Sequence, residues 1–129
     1  MSLSKARTAF EVFVRDFAKS KGLGASYENV QTKHSGEYLE CFIVPIEPYL
    51  LTFESQMDSA IFQVNFHTSE QKGMQNAEAL VSEFMNMFSI GQKVGEAMIY
   101  KPVSRSQGMR LNSKFVIAVS IYFQFSNKI

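Results

Sequence analysis

Tryptophan is absent from this 129-residue chain, cysteine occurs once and proline three times. A lone cysteine, Cys41, excludes an internal disulfide and fits a reducing compartment. No apolar run approaches the ~18 residues that a membrane span needs. Met1 to Gly22 is amphipathic and mixed in charge, unlike a signal peptide. A formal net charge of +1 supplies no global field to recruit nucleic acid or a lipid surface. The expectation is a soluble, cytoplasmic product.

Catalytic signatures are equally scarce. There is no Walker loop and no G-x-S-x-G elbow. Gly22-Leu23-Gly24 follows a helical pattern and lacks a third glycine, so it reads as helix termination. His34 and His67 are far apart and neither has a second ligand at metal spacing, so they read as a loop and a strand-surface histidine. Cys41, inside an apolar strand, reads as a buried inert thiol. Glu37 and Glu40 flank a strand start with no cleft that would make them an acid/base pair. The expectation is a non-enzyme without metal or cofactor.

What is present is a Phe-rich core, with twelve Phe in a chain that is 46% hydrophobic. Leu3, Ala6, Phe10, Phe13 and Phe17 recur at helical spacing, Ser2 or Ser4 can cap the start, and Gly22 with Gly24 ends the run. Ala25 to Gly36 is polar and irregular, with a short strand around Asn29-Val30. Tyr38 to Val44 predicts a central strand, with pairing weakened at Pro45 and Pro48. Tyr49 to Phe53 resumes it, and Glu54 to Ser59 reads as a turn or loose loop. Phe62, Val64 and Phe66 then share one strand face, and Gln63, Asn65 and His67 the other.

A second helix, Met74 to Phe88, buries Ala77, Leu80, Val81, Phe84 and Phe88, with Gly91 as a left-handed stop beyond it. Glu96 to Val103 reads as a strand ended by Pro102, and Ser104 to Ser113 as a polar loop pivoting on Gly108. Phe115, Ile117, Val119, Ile121, Phe123 and Phe125 all fall on one face of the closing strand. Together these predict a single α+β domain over residues 1–129. Its architecture is a two-layer sandwich, a mostly antiparallel sheet of at least four strands packed by two helices. The link from Phe66 to Glu96 is long enough to permit one parallel pair.

Charge is segregated along the chain. From His34 to Gln71 there is no Lys or Arg, while Glu37, Glu40, Glu47, Glu54, Asp58 and Glu70 lie there. From Lys101 to Lys114 the pattern inverts, with Lys101, Arg105, Arg110 and Lys114 and no acid. Two solvated loops account for this pattern, as does a contact between one loop and the other across a subunit boundary. The basic stretch lacks the interleaved aromatics of a nucleic-acid site. Among seven Met, Met109 stands in this polar stretch and is the one best placed to touch a partner.

The chain resembles the small phage and prophage tail proteins related to the lambda-type tail terminator. The matching pieces run in order: the first helix; Tyr27-Glu28-Asn29-Val30; Tyr38-Leu39 leading to Pro45; and Ala60-Ile61-Phe62-Gln63-Val64-Asn65-Phe66. Gly73 with the Ala77/Leu80/Phe84 helix, Pro102, and the closing strand to Phe125 complete the series. Ser59-Ala60 and Thr68-Ser69 stand where similar proteins often carry a glycine and a turn proline.

The resemblance implies structural work without catalysis: a homo-oligomeric ring, commonly of six, that caps the tail tube and meets the head-tail connector. It would sit in the virion tail after assembly in the bacterial cytoplasm, with no sequence-specific nucleic acid and no membrane. Glu47, Glu54 and Asp58, the strand face Gln63, Asn65 and His67, and the stretch Arg105, Met109, Arg110 and Lys114 are the expected contacts. A neck or head-completion protein and a host-side protein-binding module of the same fold are the alternatives.

Overall fold

The computed structural model describes residues 2–27, 36–69, 73–111 and 114–129. Helix α1 (Leu3–Lys21) begins where the Ser2 side chain accepts the Lys5 backbone N–H at 3.2 Å. It ends at Gly22 in the left-handed conformation, φ 69°, with Lys19 and Lys21 in the last turn, where the helix dipole favours cations. The Leu23 N–H reaches back to the Ala18 carbonyl at 2.8 Å and that of Gly22 to the Lys19 carbonyl at 3.4 Å. This paired closure satisfies carbonyls the helix would otherwise leave open. A side chain at position 22 meets no neighbour but must adopt a disfavoured backbone conformation. Gly22→Ala is therefore expected to cost about 1 kcal/mol and lower the thermal midpoint by a few degrees in a melting experiment.

The buried face of α1 is Ala6, Phe10, Val14, Phe17 and Ala18, with Leu3 and Phe13 at its margins. Helix α2 (Gly73–Met85) is shorter than the sequence pattern suggests. After Met85 the backbone tightens to three-residue hydrogen bonds, Met87 to Phe84 and Phe88 to Met85, both 3.1 Å. That turn still delivers Phe88 to the core, so the apolar period outlasts the helix. Gly91 follows at φ 83°, as expected of a left-handed stop.

The strands are β1 (Gly24–Ser26), β2 (Tyr38–Thr52), β3 (Ser55–Ser69), β4 (Lys93–Val94), β5 (Ala97–Ile99), β6 (Ser104–Arg105), β7 (Met109–Leu111) and β8 (Lys114–Lys128). They form one curled, mixed sheet in the order β1-β2-β3-β8-β5-β4, with β6 and β7 also on β8. Every pairing is antiparallel except β1 with β2. The class is therefore α+β, with two helices and eight strands among the described residues.

Several expectations are corrected. The central strand is β3, not β2, whose free edge has no strand partner beyond Glu40 among the described residues. Pro45 still pairs, with Ala60, whereas the register breaks at Pro48 as the prolines suggest, without ending the strand. There β2 continues to Thr52 by taking up one extra residue between Ile46 and Tyr49 and another between Leu50 and Thr52. Of the turn or loose loop expected at Glu54 to Ser59, only Glu54 lies in a turn, and Ser55 onward is the start of β3, held in register with β8 from Ser55↔Lys128. Ser59-Ala60 and Thr68-Ser69 are strand residues, not turns.

The polar loop after Pro102 contains β6 and β7, which follow β8 as an interrupted edge strand. The Ser106 N–H donates to the Ala118 carbonyl at 2.7 Å, continuing the ladder between them. The α2 crossover creates no parallel pair, because β5 returns antiparallel to β8. A short strand does follow α1, at Gly24–Ser26. Asn29-Val30, His34 and Glu70 lie outside the described residues.

The inward residues of α1, α2, β2, β3 and β8 make one core. Phe10 stacks on Phe62 (ring centroids 5.1 Å apart) and touches Phe123 (4.8 Å), while Phe17, Phe66 and Phe84 meet edge to face at 5.2–6.2 Å. Of the six inward residues expected on β8, five are buried and Phe115 is partly so. Cys41 is buried, its Sγ 3.7 Å from the Ser26 carbonyl oxygen.

Candidate functional site

Three adjacent strands of 15 residues each, β2, β3 and β8, form a ribbon about 45 Å long at ~3.3 Å per residue. The helices cover only part of it. Along β2, burial alternates from Tyr38 to Ile43, and from Val44 to Thr52 every residue except Ile46 is exposed. The hairpin end therefore projects beyond the core, carrying Tyr49, Leu50, Leu51 and Phe53, the last 98% exposed.

The projecting end is nevertheless well built. Thr52 and Ser55 share a 2.8 Å hydroxyl contact, the Glu54 N–H donates to the Thr52 hydroxyl at 3.1 Å, and the Ile129 N–H donates to the Glu54 carbonyl at 2.9 Å. Asp58 accepts from Gln56 at 2.7 Å and from Asn127 at 3.1 Å, so its carboxylate braces β3 against β8. Glu47 and Glu54 are exposed at this end. Of the acidic candidates, these two face solvent and Asp58 is tied into the arm.

The basic candidates gather along the far edge of β8. Met109 and Leu111 are exposed on either side of Arg110, and β7 pairs with the Lys114 end of β8. The Lys114 ammonium donates to the Gly36 carbonyl at 2.9 Å. Arg105 lies 3.9 Å from Glu78 in an exposed pair, an arrangement that contributes little in water. Lys101 rests 4.5 Å from the centre of the Tyr122 ring.

The strand face expected to be wet or to meet a partner is knitted together by side-chain hydrogen bonds. Gln63 Nε2 donates to Asn65 Oδ1 (3.0 Å), and Asn65 Nδ2 donates to Glu40 Oε1 (3.3 Å). His67 Nε2 lies 3.3 Å from the same Glu40 oxygen, and its ring stacks on Tyr38 at 4.3 Å. The surface-histidine expectation is corrected, since His67 is 9% exposed under Tyr38. Glu37 and Glu40 do not act as a pair: Glu37 accepts the Ser69 N–H at 3.1 Å while Glu40 serves Asn65 and His67.

Burial, and then the Glu40 charge, raise the Tyr38 pKa above 10.0. Tyr27 is raised likewise, chiefly by burial. The unfolded chain loses these protons first, so their contribution is intact below pH 10 and is lost as pH rises through the folded values. Tyr38→Phe is expected to flatten the alkaline fall of stability in urea titrations above pH 10.

Two shallow grooves flank α1. One of about 230 Å³ is lined by Thr8, Glu11, Val12, Arg15 and Tyr27, and one of about 350 Å³ by Phe13, Asp16, Phe17, Ser20, Glu83 and Met87. Lys21 bonds Glu83 at 2.7 Å beside the second. Among the described residues no group of His, Cys, Asp or Glu could hold a metal ion, and no helix is long and apolar enough to cross a membrane. The sequence reading expects Glu47 to Ser59 to project from the sheet and make contacts through its acids, and what it missed is that this end also exposes Tyr49, Leu50, Leu51 and Phe53. The signal was Tyr49-Leu50-Leu51-Thr52-Phe53, apolar without alternation directly after two prolines.

No protein-family model matches the chain, and no curated protein does. Eleven solved chains match it. One superposes with a TM-score of 0.74 at 22% identity, over 96% of this chain and 95% of that one, a likeness of fold.

Proposed function

We propose that the chain is a structural tail protein of a phage or prophage. In this reading it is a terminator that closes into a ring of six, caps the tail tube and presents a face to the head-tail connector. The virion tail is its place, after assembly in the bacterial cytoplasm. The reading includes no enzymatic step, cofactor, membrane or sequence-specific nucleic acid. Its architecture is a two-layer sandwich, both helices over one side of the sheet.

Besides the sequence resemblance, one observation carries the reading. The exposed acids Glu47 and Glu54 and the basic residues Arg110 and Lys114 stand at opposite ends of the ribbon, about 40 Å apart by strand rise. A single chain cannot bring those ends together, whereas head-to-tail copies can, and opposite charges then set their register. A strand-adding peptide module is disfavoured because Pro45 and Pro48 interrupt the free β2 edge.

Light scattering and negative-stain microscopy over a concentration series test this. Closed rings with a central hole wide enough for DNA are expected. A monomer at every concentration that also fails to bind tail-tube ends would refute the reading. Arg105→Glu with Arg110→Glu is expected to weaken assembly, most at low salt, while leaving the monomer folded. Normal assembly of that variant at low and high salt would remove charge from the seam.

A further inference from the structure

The hairpin end exposes four large apolar side chains within five residues, Phe53 at 98%, Leu50 at 65% and Tyr49 and Leu51 beside them. A patch of this kind marks a contact site. Its occupant is narrowed by two features. Pro45 and Pro48 lie on the β2 edge just before the patch, and each removes a backbone donor, so an incoming strand cannot build a continuous ladder. The contact therefore runs through side chains. Glu47 and Glu54 frame the tip, which repels an anionic lipid surface and suits a basic, partly apolar one.

The chain carries such a surface itself. On β7, Met109 and Leu111 are exposed around Arg110, with Lys114 on the neighbouring strand. We propose that the hairpin tip of one copy seats on β7 of a second copy. Phe53 is the anchor against Met109 and Leu111, and Glu47 and Glu54 face Arg110 and Lys114. This rests on the ring reading above and deepens it by assigning the seam. It makes the interface heterologous and independent of backbone pairing.

Phe53→Asp disables the tip and Leu111→Asp the seat. Both positions are exposed, so both variants keep the native circular dichroism spectrum. In analytical ultracentrifugation each alone stays monomeric at concentrations about tenfold above those at which the unaltered chain assembles. Mixed in equal amounts, they form a heterodimer and nothing larger, because one intact tip meets one intact seat.

Should Phe53→Asp form rings like the unaltered chain, the seam lies elsewhere and this assignment fails while the ring reading stands. Dimers of Leu111→Asp alone would mean that tip packs on tip, overturning the head-to-tail contact. An unaltered chain that neither assembles nor binds tail-tube ends removes the ring reading and this seam together. Sedimentation of the unaltered chain, but not Phe53→Asp, with phosphatidylcholine vesicles, with assembly indifferent to both changes, would assign the tip to lipid instead.

Discussion

Phe10→Ala is expected to lower the free energy of unfolding by about 3–5 kcal/mol. Phe10 is fully buried, and its ring lies within 5.1 Å of Phe62 on β3 and 4.8 Å of Phe123 on β8. It also stands 6.4 Å from Phe88, beyond the end of α2. One side chain thus joins α1 to two strands and to the segment after the second helix. Truncation loses the transfer free energy of the ring and leaves a cavity that rigid neighbouring rings cannot close.

Domains of this kind are stable by roughly 5–15 kcal/mol, so the loss is a large share of the whole. Urea unfolding should show a lower midpoint at unchanged slope. Phe53→Ala, the same chemical change at a 98% exposed site, is the internal control and should stay within about 0.5 kcal/mol. A loss below 1 kcal/mol at Phe10 would mean that α1 is not docked as described.

Gly108→Ala should cost about 1–3 kcal/mol, through packing instead of backbone conformation. Gly108 is not among the positive-φ glycines. A Cβ there would run into the Phe115 ring, and its three nearest atoms all belong to that ring. Because β7 begins at Met109 and pairs with Val116 next to Phe115, the ring and the edge strand cannot both stay in place.

Hydrogen exchange should report lost protection in the amides of β7 and in Ser106 N–H, with the β3–β8 ladder unaffected. Phe115→Ala in the same chain should recover most of the penalty, giving a coupling energy of about 1 kcal/mol or more in the double-mutant cycle. Simple additivity of the two changes would show that the ring contact does not position the strand. The result also bears on the seam, because β7 is the proposed seat of a second copy.

The glycine illustrates where sequence reading stopped. Gly108 in a polar stretch looks like a pivot, but the reason for it is a ring seven residues further along the chain, brought beside it by the pairing of β7 with β8. The interrupted strands β6 and β7 are two or three residues long, too short to carry an alternation signal, and they exist because β8 offers them an edge. Pro45 and Pro48 suggest a weakened pairing. In the fold β2 lies at the sheet's free flank for most of its length, where missing donors cost little and extra residues can be absorbed as bulges. Asp58 looked like a surface acid until Asn127, 69 residues away, turned out to share its carboxylate.

The sequence by itself determined what depends on neighbours a few residues apart. That covers the buried stripe of α1, its stop at Gly22, the inward faces of β3 and β8, and the left-handed Gly91, because helix and strand periods and the glycine requirement are local properties. Tertiary structure alone decided which edges pair and how far the hairpin projects. It also decided that His67 is covered by Tyr38, and that acidic and basic surfaces stand at opposite ends of one ribbon. These follow from register between strands such as Ser55↔Lys128 and Tyr38↔His67. Register is set by the packing of the whole core, which no short window of sequence contains.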